Sequence, residues 1–254
     1  IIVLLLLIIV KISFVIVFLL LTLFCSIGIT MDYSLSFKVN EKIFLRDPES
    51  TELGKQIVKN AIDLIYTLGF EHFTFKKLAK EMNTTEASIY RYFENKHRML
   101  LYILNWYWSY MEYLVVFQLQ PLANSKAKLE RLVELLTHPL EENEGHSDYN
   151  KHYLHQIVIT ESSKVYLVKE VKEINEDAVF KPYKDLCARI SELIQSHNPA
   201  YGFPHSLSST LIETAHSQLF FSQHLPKLTD AGKGNKTEFV ARYLTDLLFK
   251  SLQA

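Results

Sequence analysis

The sequence predicts an all-α protein in which three short helices near the N-terminus precede a longer α-helical bundle. Glycine and proline each occur only seven times in 254 residues, which favours long helices with short breaks over a sheet-rich fold. Apolar residues recur at the spacing of one helix face in the segments between these breaks. Prolines at positions 121, 139, 182, 199, 204 and 226 divide the second half into helix-length pieces.

Residues 1–30 differ from the rest of the chain, because Lys11 is their only charged residue. A stretch of about 20 apolar residues can cross a membrane, so a hydrophobic anchor is one interpretation and a signal peptide is another. A third interpretation is translated upstream DNA, because Ile, Leu, Phe and Lys make up 20 of these residues and codons of only A and T can encode them. We favour the third interpretation and expect the natural protein to begin at Met31.

Helix-start and helix-stop signals predict three helices before residue 95. The first follows a polar run that begins at Asp47, and Gly69 ends it. Thr74 can cap the second helix and, after a tight turn, Thr85 can cap the third. Two short helices separated by such a turn form a helix-turn-helix, whose second helix fits the major groove of DNA.

The net positive charge of the three predicted helices is compatible with DNA binding but does not prove it. Between residues 54 and 98, eight Lys and Arg residues outnumber five Asp and Glu residues, although the whole chain has a formal net charge of −1. A modest basic patch suits contact with phosphates. A small helical core with a solvated charged face would have the same pattern, so periodicity and charge leave both interpretations open.

The run 61-AIDLIYTLGFEHFTFKKLAKEMNTTEASIYRYFENKHRMLL-101 resembles the DNA-binding domain of the TetR family of bacterial transcriptional regulators. The similarity comprises Leu-Gly-Phe at the end of the first helix, then Thr-Phe-Lys-Lys-Leu-Ala, and then Ile-Tyr-Arg-Tyr-Phe-x-Asn-Lys. The sequence departs from the pattern at Asn83 and Thr84, where Gly and an apolar residue are common. It departs again at Glu86, where a small or basic residue is common.

The resemblance implies a helix-turn-helix domain over residues 31–95 that binds double-stranded DNA. We expect Ile89 and Phe93 to anchor the third helix, so that its outer residues face the groove. The predicted DNA contacts are Lys76, Thr85, Glu86, Ala87, Ser88, Tyr90, Arg91, Tyr92 and Lys96. Among these, the two tyrosine hydroxyls are expected to reach phosphates, and the Lys96 ammonium is expected to bind one beside the start of the fourth helix.

The same resemblance implies that residues 96–254 form a helical regulatory domain that binds a small molecule and dimerises through its last two helices. Helices are predicted at 96–120, 125–138, 148–160, 163–197, 205–224 and 236–252, and a break near Pro182 can divide the fourth of these. On the first of these, aromatic residues can wall an effector pocket or pack against neighbouring helices: Tyr102, Trp106, Tyr110 and Tyr113. Apolar stripes on the last two helices can form a dimer interface or ordinary core, and a dimer predicts a near-palindromic operator.

Other functional classes receive less support from the sequence. It contains no H-E-x-x-H, CxxC, P-loop or G-x-S-x-G motif, so we expect no enzymatic activity, and no metal or cofactor. Cys25 and Cys187 are too few for a disulfide scaffold, which favours a cytoplasmic location. We therefore expect a repressor that a small-molecule effector releases from DNA. A helical protein-interaction module, or a membrane-tethered regulator if residues 1–30 are real, remains an alternative.

Overall fold

A computed structural model describes residues 37–138, 149–166, 175 and 178–253, and no β-strand occurs in these ranges. This confirms the all-α prediction, whereas the interpretations of residues 1–30 concern a segment outside the described residues. No helix within those ranges is both long enough and apolar enough to cross a membrane. Ten α-helices are described: α1 Glu52–Leu68, α2 Phe75–Glu81, α3 Glu86–Tyr90, α4 Lys96–Leu119, α5 Ser125–Thr137, α6 Lys151–Glu161, α7 Ser163–Tyr166, α8 Lys181–His197, α9 Pro204–His224 and α10 Lys236–Leu252.

The predicted helix limits agree with the observed ones to within a few residues where the structure describes them. In the segment predicted at 163–197, residues 178–180 form a turn and α8 begins at Lys181. Pro182 lies in the first turn of α8, where a residue without an N–H group leaves no hydrogen bond unmade. The break therefore falls near the proline that the sequence marked.

A threonine side chain caps the N-terminus of each of the first three helices. Thr51 Oγ1 accepts the Gly54 amide of α1 at 3.0 Å. Thr74 Oγ1 accepts the amide of Lys77 at 3.2 Å, and Thr85 Oγ1 accepts the amide of Ser88 at 3.3 Å, so both predicted caps are confirmed. Between α2 and α3, Asn83 has a φ of 51°, the left-handed conformation that asparagine tolerates better than most residues.

An N-terminal arm, residues 37–51, leads into α1 and packs along α4. The Phe37 ring lies 5.3 Å from that of Trp106, and the Phe44 ring lies 6.1 Å from that of Tyr102. A short 3-10 helix, Pro48–Ser50, then presses against the first turn of α1. A Cβ atom on Gly54 would lie 2.3 Å from the Pro48 carbonyl oxygen, so only glycine permits this approach.

Helix α4 is the centre of the fold and contacts α5, α6, α7 and α8. Fifteen of its 24 residues are buried, and they occupy every side of the helix rather than one stripe. A helix that is apolar all round belongs in the core of a protein, which explains its many aromatic residues. Helices α9 and α10 pack against each other and against α5, and α9 also contacts α6 and α8, which completes the bundle around α4.

The apolar stripes of α9 and α10 serve mainly as core. Six of the stripe residues are buried: Leu211, Ala215, Leu219, Val240, Leu244 and Leu248. Phe220, Phe239 and Leu247 are half-buried, and Tyr243 is 39% exposed. The core alternative therefore holds for most of each stripe, and a narrower apolar margin faces outward.

A polar cluster lies inside the bundle, where α4, α6 and α9 meet. The Tyr107 hydroxyl is hydrogen-bonded to His155 Nδ1 at 2.8 Å, and the rings of His155 and His216 are 6.1 Å apart. Burial disfavours the charged imidazolium and lowers the pKa of His155 to about 4 and that of His216 to about 3. Both histidines are therefore neutral at physiological pH.

Acidification is expected to destabilise the protein through these two histidines. An ordinary histidine has a pKa near 6.5, so below that pH the unfolded chain binds more protons than the folded one. The free energy of unfolding should therefore be highest above pH 6.5 and should fall as the pH drops toward about 4. Urea unfolding across this range measures the effect.

The His216→Gln variant should lose less stability on acidification than the wild type, by on the order of 1–3 kcal/mol. His205 is exposed, so His205→Gln is the matched control and should behave as wild type. Equal acid sensitivity in His216→Gln and the wild type would contradict a role for the buried ring.

Candidate nucleic-acid interface

Two buried side chains hold the five-residue helix α3 in place. Ile89 and Phe93 both have 0% exposure, which confirms that they anchor this helix. Helix α2 packs between α1 and α3, and it contributes Phe75 and Leu78 to the same core. The anchors fix the rotation of α3 and so decide which of its residues face outward.

The outer surface of α3 is open. Thr85, Glu86 and Ala87 are exposed and Ser88 is half-buried. The hydroxyl oxygens of Thr85 and Ser88 lie 3.0 Å apart, so they form one small polar site. Short side chains on an exposed helix allow close approach to base edges in a DNA groove.

Three further predicted contacts also lie on the surface. Tyr90 is 48% exposed, and its ring packs edge-on against that of Phe75 at 5.0 Å. Arg91 and Lys76 are exposed. Lys77, next to Lys76, instead donates to the His72 carbonyl at 2.8 Å. The free hydroxyl of an anchored tyrosine, together with two cations, is suited to phosphate oxygens.

Tyr92 was predicted to contact phosphate, and this prediction is wrong. The side chain is only 2% exposed, and its hydroxyl oxygen lies 2.7 Å from Thr51 Oγ1. The Leu45 amide donates to the Tyr92 carbonyl at 2.8 Å, and the guanidinium of Arg46 lies 5.4 Å from the ring centre. The arm therefore covers Tyr92, which ties α3 to the start of α1.

The predicted phosphate contact of the Lys96 ammonium is also not supported. Its Nζ donates to the carbonyl oxygens of Phe70 at 3.0 Å and of Glu71 and Phe73 at 3.3 Å each. The same ammonium lies 4.6 Å from the centre of the Phe70 ring. Three carbonyls and a ring face satisfy this charge, so Lys96 closes the loop between α1 and α2.

One exposed basic residue beside α3 was not predicted. Arg46 lies on the arm, and the bond between Leu45 and Tyr92 brings it to the end of the short helix. No local pattern identifies it, because its neighbour at position 92 is more than forty residues away in the sequence. It adds a positive charge to the border of the exposed surface.

Three of the four predicted pocket residues belong to the core. Tyr102, Trp106 and Tyr110 are at most 1% exposed, because the arm and Tyr149 cover them. The Tyr149 hydroxyl donates to Glu49 at 2.6 Å within this layer. Burial, followed by the nearby Glu49 carboxylate, raises the pKa of Tyr102 above its ordinary value. Packing, the other alternative considered for these residues, is thus their role.

Tyr113, the fourth predicted pocket residue, lines an open cavity. This cavity has a volume of about 900 Å³, and its walls include Leu114, Phe117, Pro121 and Arg131. The Phe117 ring stacks on Tyr113 at 5.7 Å and is 62% exposed. The described part of the chain contains no group of three or more His, Cys, Asp or Glu side chains that could hold a metal ion.

The different environments of Tyr90 and Tyr92 predict different costs of removing a hydroxyl. Tyr92→Phe should lower the free energy of unfolding by about 1 kcal/mol, because the Thr51 hydroxyl loses its buried partner. The matched variant Tyr90→Phe should change it by less than about 0.5 kcal/mol, because that hydroxyl is at the surface. Urea unfolding of both variants provides the measurement, and a larger cost for Tyr90→Phe would contradict the assignment.

Comparison with known proteins connects this geometry to a family. The family model described as "Bacterial regulatory proteins, tetR family" matches residues 57–103. This range includes most of α1, all of α2 and α3, and the first two turns of α4. No curated protein matches the chain significantly.

Solved structures are similar over most of the chain. AibR in complex with isovaleryl coenzyme A and operator DNA has 17% identity and a TM-score of 0.54, covering 78% of this chain and 98% of its own. The fatty acid degradation regulator FadR from Bacillus halodurans has 20% identity and a TM-score of 0.56, covering 80% and 97%. The superantigen PfiT has 16% identity and a TM-score of 0.53, covering 78% and 96%. At these identities the likeness shows the fold alone.

Proposed function

We propose that the chain is a transcriptional repressor of the TetR family that a small-molecule effector releases from operator DNA, and the family match over residues 57–103 supports this. The observation that carries the proposal is the open face of α3. Its anchors Ile89 and Phe93 are fully buried while Thr85, Glu86 and Ala87 are exposed. A helix held in this way can enter the major groove.

The proposed contacts divide into two kinds. Thr85, Glu86, Ala87 and Ser88 face base edges, where the Glu86 carboxylate can accept a hydrogen bond from a cytosine amine. Lys76, Tyr90 and Arg91 contact phosphates. All three side chains are exposed and so are accessible to DNA. Phosphate contacts position the domain, and base contacts give it sequence preference.

A small-molecule effector is proposed for the domain formed by residues 96–254. The open cavity beside Tyr113, of about 900 Å³, is large enough for such a ligand and supports this part of the proposal. The structures of AibR with isovaleryl coenzyme A and operator DNA, and of the regulator FadR, support it as examples of the same fold. Helix α4 runs from this cavity to the DNA-binding domain, residues 31–95.

A homodimer through α9 and α10 completes the proposal. The outward margin of these helices is apolar at Phe220, Phe239, Tyr243 and Leu247, and Leu225 follows α9 with 46% exposure. Two copies joined here set two α3 helices one DNA turn or a multiple apart, so the operator is near-palindromic. The low cysteine content supports a cytoplasmic location.

A protein-interaction module without DNA binding is the second candidate function. The likeness to the superantigen PfiT favours it, because that structure has a similar fold and a different named role. The open face of α3 and the match over residues 57–103 favour the regulator instead. Binding of duplex DNA separates the two candidates.

DNA binding is tested with duplexes that the wild-type chain selects from a random-sequence library. Lys76→Met should weaken binding to all duplexes and lower the slope of log affinity against log salt by about one, because one phosphate contact is lost. Ser88→Ala should instead relax the preference at one or two base positions. Filter binding over a range of salt concentrations measures both effects.

Lys233 is exposed in the loop before α10, so Lys233→Met is the matched control and should leave affinity and slope unchanged. If the wild type selects no duplex, or binds with no dependence on salt, the regulator is rejected in favour of the interaction module.

The proposed interface predicts that Tyr243→Glu separates the dimer. A buried, unpaired carboxylate in each copy should raise the dimer dissociation constant at least about tenfold, as judged by sedimentation equilibrium. Leu45 is an exposed apolar residue on the arm, with 65% exposure, so Leu45→Glu is the control. A Tyr243→Glu protein that sediments as the wild type would place the interface elsewhere.

A further inference from the structure

The loop between α1 and α2 is bound to the regulatory domain as well as to its own helices. The amide of Phe70 donates to Glu161 Oε1 at 3.2 Å, although the two residues are 91 positions apart in the sequence. Glu161 ends α6, and its side chain is only 10% exposed. A nearly buried carboxylate that accepts a loop amide makes a specific contact rather than a surface one.

Lys164 on α7 joins the same contact from the other side. Its Nζ lies 2.8 Å from Glu161 Oε2 and 2.8 Å from Glu71 Oε1, so one ammonium bridges two carboxylates. The same Nζ lies 5.9 Å from the centre of the Phe70 ring. The neighbouring Glu71 carboxylate, through hydrogen bonding to Lys164, has a pKa lowered from its ordinary value.

A second contact joins the same pair of elements. The rings of Tyr66 on α1 and Tyr153 on α6 stack at 3.9 Å with an angle of 11° between their planes. Helix α1 therefore packs along α6, and the loop contact lies at the end of this packing. On the opposite side of the loop, Lys96 holds the Phe70 carbonyl at 3.0 Å.

Helix α7 connects this contact with the interior of the regulatory domain. It has only four residues, and Tyr166 at its end stacks on Tyr183 of α8 at 6.0 Å with 7° between the rings. Tyr166 and Tyr183 also line a small cavity of about 10 Å³ with Asn105 and Trp108 of α4. One short helix thus carries a residue bound to the α1–α2 loop and a residue packed among α4 and α8.

We propose that Glu161 and Lys164 are positioning residues that hold the DNA-binding domain in one orientation against the regulatory domain. We call the ion pairs among Glu71, Glu161 and Lys164, with the Phe70 amide, the latch. This inference rests on the proposed function and adds to it a specific contact by which α6 and α7 hold the DNA-binding domain.

The latch matters for DNA binding because a dimer must present two α3 helices at a fixed separation. Domains that reorient freely must be ordered when they bind, and that ordering lowers affinity. A domain held by the latch is already ordered. Loosening the latch should therefore weaken DNA binding without removing any residue of the DNA-facing surface.

The test compares three variants of the full chain. Lys164→Met removes the bridging charge and keeps most of the side-chain stem. Glu161→Gln keeps an oxygen that can accept the Phe70 amide but removes the ion pair. Lys250→Met is the matched control, because Lys250 pairs with Asp246 at 2.9 Å on the surface of α10. Melting temperatures establish that each variant is folded.

Hydrogen–deuterium exchange of the free protein provides the first readout. The peptide that contains Phe70 should exchange at least about threefold faster in Lys164→Met and Glu161→Gln than in the wild type. Lys250→Met should exchange as the wild type does. Unchanged exchange in both latch variants would overturn the proposal, whatever the protein does with DNA.

Affinity for a duplex selected by the wild-type chain provides the second readout. The dissociation constant should rise about fivefold or more in the two latch variants, with the base preference and the salt slope unchanged. An unchanged or tighter dissociation constant would overturn the proposal. If the wild type selects no duplex, the proposed function fails, and the exchange measurement still decides whether the latch holds the loop.

Discussion

The burial of Ile89 and Phe93 is the constraint on which the DNA-facing surface depends. Helix α3 has only five residues, so its backbone hydrogen bonds cannot stabilise it without tertiary packing. The two anchors are buried in the core, where α2 packs against α3 and the Phe93 ring lies 5.5 Å from that of Tyr102 on α4, and the Thr85 cap fixes where α3 begins. The burial of these two side chains therefore determines which residues of α3 are exposed.

Local sequence signals were sufficient for the helices, because caps, stops and apolar spacing act over a few residues. They placed Thr74, Thr85 and Gly69 correctly and identified the two anchors of α3. They failed for Tyr92 and Lys96, whose partners come from the arm and from the α1–α2 loop. A side chain that is exposed on its own helix can be covered by a distant segment, and no local spacing reveals this.

The aromatic residues of α4 illustrate a second limit. Their density correctly indicates a helix of unusual environment, but it does not distinguish a ligand wall from the centre of a core. The arm decides the question, because Phe37 and Phe44 cover Trp106 and Tyr102. The environment of His155 is likewise set by distant segments. Its ring is hydrogen-bonded to Tyr107, and it is buried because α4, α6 and α9 pack together around it.

The chain contains only two tryptophans, Trp106 and Trp108, and both are buried in α4. Trp106 packs beside Tyr149 and the arm, whereas Trp108 packs beside Tyr183 and His216. The tryptophan fluorescence of the protein therefore originates entirely from its central helix, on two opposite sides. The molecule carries a built-in optical reporter of that helix, and events at the arm and in the bundle interior can be followed without attaching a dye.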